Sequence, residues 1–204
     1  MMKKVLMLVL SSLAVSIATS AWAEGGNAEA GKTKSATCVA CHGADGNSVN
    51  PEWPKLAGQH PSYILKQLMN FKHDERVNAL MTPMAKPLSD QDMADLAAYF
   101  SSQVKKPGEA DKTKVALGEQ IYKGGNNATG VAACAACHGP NGAGNPAANF
   151  PAINGQHASY IKLQLTNFRK AQRANDPGKM MRNIAVAMTD AEIEAVAEYM
   201  AGLQ

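Results

Sequence analysis

Cys38, Cys41 and His42 stand in the run CVACHG, and Cys134, Cys137 and His138 stand in CAACHG 96 positions later. All four cysteines of the chain fall in these two runs. Cys-x-x-Cys-His is the attachment pattern of c-type haem. Two thiols on one helical turn can add to the two vinyl groups of a porphyrin, and the adjacent imidazole then stands within reach of the iron. A thioredoxin-type pair needs a strand-to-helix setting, and no strand pattern is visible here. A four-cysteine zinc site accounts for the spacing but leaves both histidines unexplained. Structural disulfides suit an exported protein, yet neither copy has a cysteine outside the motif. Two motifs in register predict two tethered haems, with no thiol left for a disulfide.

A six-coordinate haem iron needs a second axial ligand, and methionine opposite histidine raises the reduction potential. Met69, Met81, Met84 and Met93 follow the first motif, and Met180, Met181, Met188 and Met200 follow the second. Met81 precedes Ser89 by eight residues and Met181 precedes Thr189 by eight, so the two occupy one place in the repeat. Met84 aligns with Ile184 and Met188 with Leu88, which makes both packing residues. The expected metal ligands are His42 with Met81 and His138 with Met181; Met84 is the alternative in the first copy if the loop register slips.

The imidazole also needs its other nitrogen fixed by a hydrogen bond. Pro54 lies twelve residues after His42 and Pro151 thirteen after His138, each behind an aromatic residue. Each proline is read either as a carbonyl acceptor for the imidazole or as a simple turn residue. His60 and His157 recur in the run GQH and are assigned a surface or propionate-side place; Gln59, Gln156, Tyr63 and Tyr160 are candidates to sit near the propionates. His73 reads as an exposed helix end.

These residues need a scaffold, and the repeat describes it. WPKLAGQHPSYILKQLMNF at 53–71 matches FPAINGQHASYIKLQLTNF at 150–168, and LSDQDMADLAAYF at 88–100 matches MTDAEIEAVAEYM at 188–200. The offsets grow from 96 to 100, as in two copies that differ by small loop insertions. Units this small bury little surface and need a cofactor or staple in the core. The spacing predicts helices from about 29 into the first motif, from Ser62 as cap to about His73, and from Val115 to Lys123. Ser89 with Asp92 and Thr189 with Glu192 read as capping boxes opening the last helix of each copy.

Lys3 and Lys4, the apolar run 5–17 and Ala21-Trp22-Ala23 have the layout of a cleaved secretory signal over residues 1–23. The apolar run is shorter than the ~20 residues that span a bilayer. Without it, 18 Lys and Arg face 17 Asp and Glu, since two of the 20 basic residues are Lys3 and Lys4. That balance is not a nucleic-acid binder's. The expected fold class is all-α, with one domain over 24–106 and a second over 107–204, joined through the charged, Pro-Gly-containing stretch 103–114.

The segments CVACHGADGNS, WPKLAGQ, MTPMAKPLSDQDMADLAAYFSSQ, CAACHGPNGAGN and FPAINGQH, with Tyr99 and Tyr199 in the last helices, resemble the class I cytochrome c fold. The tandem order resembles the dihaem cytochrome c4 family over nearly the whole mature chain. The resemblance implies one His/Met-ligated haem per domain and a proximal-histidine acceptor at Pro54 and Pro151. It also implies periplasmic electron transfer toward a terminal oxidase, fed by a quinol-oxidising complex or a dehydrogenase, with peripheral membrane association left open. The rivals are a dihaem peroxidase, with one open iron, and the electron-accepting subunit of a periplasmic dehydrogenase.

Overall fold

The computed structural model describes residues 25–203, so the expected leader at 1–23 lies outside the described residues. The first domain is built from α1 (Ala28–Lys34), α2 (Val39–His42), α3 (Pro61–Lys72), α4 (Met81–Ala85) and α5 (Asp90–Ser101). The second repeats the order as α6 (Val115–Gly124), α7 (Ala135–His138), α8 (Ala158–Arg169), α9 (Met180–Ala185) and α10 (Asp190–Gly202). Among the described residues, β structure is limited to two isolated bridges, Asn126 with Val131 and Asn145 with Phe150.

Local chemistry explains most of the boundaries. Asn27 caps α1 by accepting from the Ala30 N–H at 3.0 Å. The helix expected to run from 29 into the motif is instead interrupted: α1 stops at Lys34, a 3-10 turn covers Ser35–Thr37, and α2 restarts the chain. In the second domain a hairpin-like loop closed by Asn126 and Val131 fills the same place, with N···O distances of 2.8 and 3.0 Å. Ser62 is not the cap of α3. Pro61 occupies the first turn, where its fixed φ suits the helix and its missing N–H costs nothing. Both Ser89 and Thr189 complete their capping boxes.

In each domain the first helix crosses the last at a glycine. A Cβ on Gly31 would lie 2.0 Å from the Asp95 carbonyl oxygen, and one on Gly118 would lie 2.1 Å from that of Ala195. Only glycine lets these backbones approach so closely. Behind the crossing, Ile64, Leu96, Ala97, Tyr99 and Phe100 form the buried cluster of the first domain. Ile121, Tyr122, Ile161, Leu165, Ile193 and Val196 belong to the larger one of the second.

The domains meet across an approximately two-fold polar interface. Gln59 and Gln156 are both buried there. His60 Nε2 donates to the Ala143 carbonyl at 2.8 Å and His157 Nε2 lies 2.9 Å from that of Ser48, so each histidine reaches the backbone of the other domain. Arg173, 7 % exposed, donates to the Tyr63 hydroxyl at 2.8 Å, and Arg76 to that of Tyr160 at 3.2 Å. Each guanidinium also stacks on the phenylalanine of its own domain, Arg76 on Phe71 and Arg173 on Phe168. The connecting segment is pinned as well. Lys55 Nζ donates to the carbonyls of Lys106 and Pro107, and Lys105 Nζ to that of Asn154.

Candidate functional site

Each Cys-x-x-Cys-His run forms one short helical turn, with the His42 N–H donating to the Cys38 carbonyl at 2.9 Å and the His138 N–H to that of Cys134 at 2.9 Å. That turn puts both thiols and the imidazole on a single rigid unit. Gly43 and Gly139 then leave the helix at φ of 78° and 77°, a left-handed exit that glycine makes without strain.

The imidazoles are buried, at 5 % exposed for His42 and 8 % for His138. His42 Nδ1 lies 2.9 Å from the Pro54 carbonyl oxygen, and His138 Nδ1 lies 2.9 Å from that of Pro151. A carbonyl only accepts, so Nδ1 carries the proton and Nε2 is the nitrogen left with a free lone pair. Burial holds both rings below the ordinary imidazole pKa, against the opposing pull of the proline carbonyls. The rings are therefore neutral at pH 7, the form that binds a metal.

The thiols are free rather than paired. Burial pushes the Cys38 thiol up and that of Cys134 up to about 11, the reverse of the low-pKa thiolate that a dithiol redox motif uses. Among the described residues, no three His, Cys, Asp or Glu side chains converge as an ion cage, which argues against the zinc alternative.

Burial sorts the methionines only in part, since Met69 and Met81 are both half-buried and Met93 is fully buried. Met81, the first residue of α4, is half-buried, whereas Met84 is 42 % exposed. Met181 is half-buried and packs against the second core, whereas Met180 is 41 % exposed and Met188 is a 4 % exposed core residue. Leu56, Leu65, Leu68, Leu88 and Cys38 lie half-buried against the first core; Ile153, Met181, Ile184, Leu203 and Cys134 do so in the second. A buried neutral imidazole, two free thiols on one turn and an apolar wall left half-covered fit a covalently attached haem in each domain.

Sequence reasoning missed Lys55, Ala152, Arg76 and Arg173. The signal was present, since Arg173 follows Arg76 by the same 97 positions that separate Gln156 from Gln59.

Fold and site together define a tandem c-type cytochrome. The family model described as cytochrome c matches residues 28–103 and again 115–204. Cytochrome c4 of Thiocapsa roseopersicina is 54 % identical over 180 residues, 87 % of this chain and 93 % of that protein. The crystal structure of reduced recombinant cytochrome c4 from Pseudomonas stutzeri superposes with a TM-score of 0.86 at 47 % identity, covering 88 % of this chain and all of that one. A protein of Thiomonas intermedia named as a thiosulfate dehydrogenase electron acceptor is 39 % identical over 88 % of this chain and 84 % of its own length. The chain belongs to the cytochrome c family, and within it to the dihaem cytochromes c4. Its cofactors are two c-type haems, and it is an electron carrier.

Proposed function

We propose that this chain carries electrons in the periplasm from a quinol-oxidising complex or a dehydrogenase toward a terminal oxidase. Each haem supplies one-electron Fe(III)/Fe(II) chemistry when bound. In this reading Cys38 and Cys41 tether one porphyrin and Cys134 and Cys137 the other. His42 with Met81, and His138 with Met181, would hold the two irons. Pro54 and Pro151 hold the histidines in the tautomer that presents Nε2. A buried ligand on a rigid turn changes little between oxidation states, which keeps reorganisation small. The domains divide near residues 106–107, and residues 1–23 are the export signal. No helix among the described residues is long and apolar enough to cross a membrane.

The observation that carries the reading is the pair of 2.9 Å His Nδ1 to proline carbonyl contacts, one beside each Cys-x-x-Cys-His turn. Substitution tests the ligand set: Met81→Ala and Met181→Ala should each remove the His/Met absorption signature of one haem, and Met84→Ala should leave both. If Met84→Ala removes one instead, the assignment at Met81 is wrong. A large spectral change of the reduced protein under carbon monoxide would mean an open iron and favour the peroxidase reading.

A second reading follows from the Thiomonas intermedia relative, in which the chain accepts electrons from a thiosulfate dehydrogenase. Stopped-flow reduction of the chain by such an enzyme with thiosulfate, compared with reduction by a quinol-oxidising complex, separates the donors.

A further inference from the structure

The peptide group that follows each proline is hydrogen-bonded at both ends. In the first domain the Pro54 carbonyl accepts from His42 Nδ1 at 2.9 Å, while the N–H of the same peptide unit, that of Lys55, donates to Gln156 Oε1 of the other domain at 2.8 Å. In the second, the Pro151 carbonyl accepts from His138 Nδ1 at 2.9 Å, and the Ala152 N–H donates to Gln59 Oε1 at 2.9 Å. The glutamine amides close each arrangement: Gln156 Nε2 donates to the Lys55 carbonyl at 2.8 Å and Gln59 Nε2 to that of Ala152 at 2.7 Å. Each Oε1 is anchored at home by the next N–H in its own domain, His60 for Gln59 and His157 for Gln156, at 3.0 Å. Lys55, Ala152, Gln59 and Gln156 are all 6–8 % exposed, so water does not compete for these bonds.

We infer that Gln59 and Gln156 are crossed positioning residues: each sets the strength of the hydrogen bond to the proximal histidine of the opposite domain. A peptide whose N–H is engaged has a more polarised carbonyl, and bonds in such a chain strengthen one another. A stronger carbonyl acceptor makes the imidazole a more basic ligand, which favours Fe(III) and lowers the potential. The glutamine of one domain thereby tunes the iron of the other. Docking of the two domains, rather than either domain alone, completes the surroundings of both histidines. The inference rests on the reading that His42 and His138 are the iron ligands.

The test uses the full-length protein carrying both haems. Gln59→Ala should raise the midpoint potential of the second-domain haem and leave the first unchanged, and Gln156→Ala should do the reverse. Proton NMR should show faster solvent exchange of the His138 Nδ1–H in Gln59→Ala and of the His42 Nδ1–H in Gln156→Ala. Gln59→Met and Gln156→Met keep the side-chain volume while removing the hydrogen bonds; they should reproduce the crossed pattern should the alanine variants loosen the interface. A shift confined to the haem of the substituted domain, equal shifts of both haems, or no shift in the methionine variants would overturn the inference. Intact His/Met spectra accompanying any of those results would leave the ligand assignment standing. Absence of those spectra from the unsubstituted protein would overturn the assignment itself.

Discussion

At Asp95 a single carboxylate braces the first domain. It accepts from Lys34 Nζ at 2.7 Å and from the Asn27 N–H at 2.8 Å, and so ties α5 to α1 and to the residue that caps α1. The Lys34 ammonium, helped by the Asn27 N–H and Gln91, holds the Asp95 carboxyl at about 2. An unperturbed aspartate titrates near 3.9. A depressed folded-state pKa means that the ionised form stabilises the fold above the unfolded value, and that this contribution is lost as pH falls through the folded one. Thermal stability should therefore drop between about pH 4 and pH 2. Asp95→Asn should be less stable at pH 7 and show a shallower acid slope, read by melting temperature across that range. The equivalent place in the second domain is held by Ala195, 100 positions on, so the second domain should lack this component of the acid response.

The elements are decided by caps and by the close crossing of first and last helices. Gly118→Ala should destabilise the second domain by about 1–3 kcal/mol, because the added methyl meets backbone that cannot swing aside. Gly124→Ala, in the same helix but with nothing within 4 Å of the new Cβ, should instead gain up to about 1 kcal/mol from helix propensity. Ser89→Ala should cost about 1 kcal/mol by removing a complete capping box. Urea denaturation of the three variants separates these effects, and similar losses for both glycine changes would contradict the crossing explanation.

At the scale of the molecule, the two domains behave as one body only if their polar interface is satisfied. Arg173 donates to Tyr63, Gln67, Gln164 and Asn175, and among the described residues it has no carboxylate within salt-bridge distance. Arg173→Ala removes one donor from each of these acceptors, of which Gln67 and Gln164 keep Arg76. A lost hydrogen bond from a charged donor costs about 1.5–3 kcal/mol. The variant should therefore show faster proteolysis within 103–114 and a larger radius of gyration by X-ray scattering, with both haems still bound. Unchanged scattering and cleavage would mean that the remaining interdomain bonds hold the domains together without Arg173.

Attachment chemistry, the tandem repeat and the all-helical class followed from the sequence because they are local. Thiol and imidazole spacing, apolar periodicity and Ser/Thr caps act over a few residues, and the repeat is read by superposing the chain on itself. The register argument also singled out Met81 and Met181, each half-buried. The start of α3 was misplaced by reading Ser62 as a cap when Pro61 had already begun the helix. The break after α1 was missed because a 3-10 turn carries no distinct pattern. Gln59, Gln156, His60 and His157 were visible as a repeated run but not as an interface. Their partners lie 83 to 109 positions away, and only the approach of one domain to the other brings those backbone groups into reach. Hydrogen-bond satisfaction in a buried interface is a property of three-dimensional placement, so tertiary structure alone decided which domain holds the peptide beside each histidine.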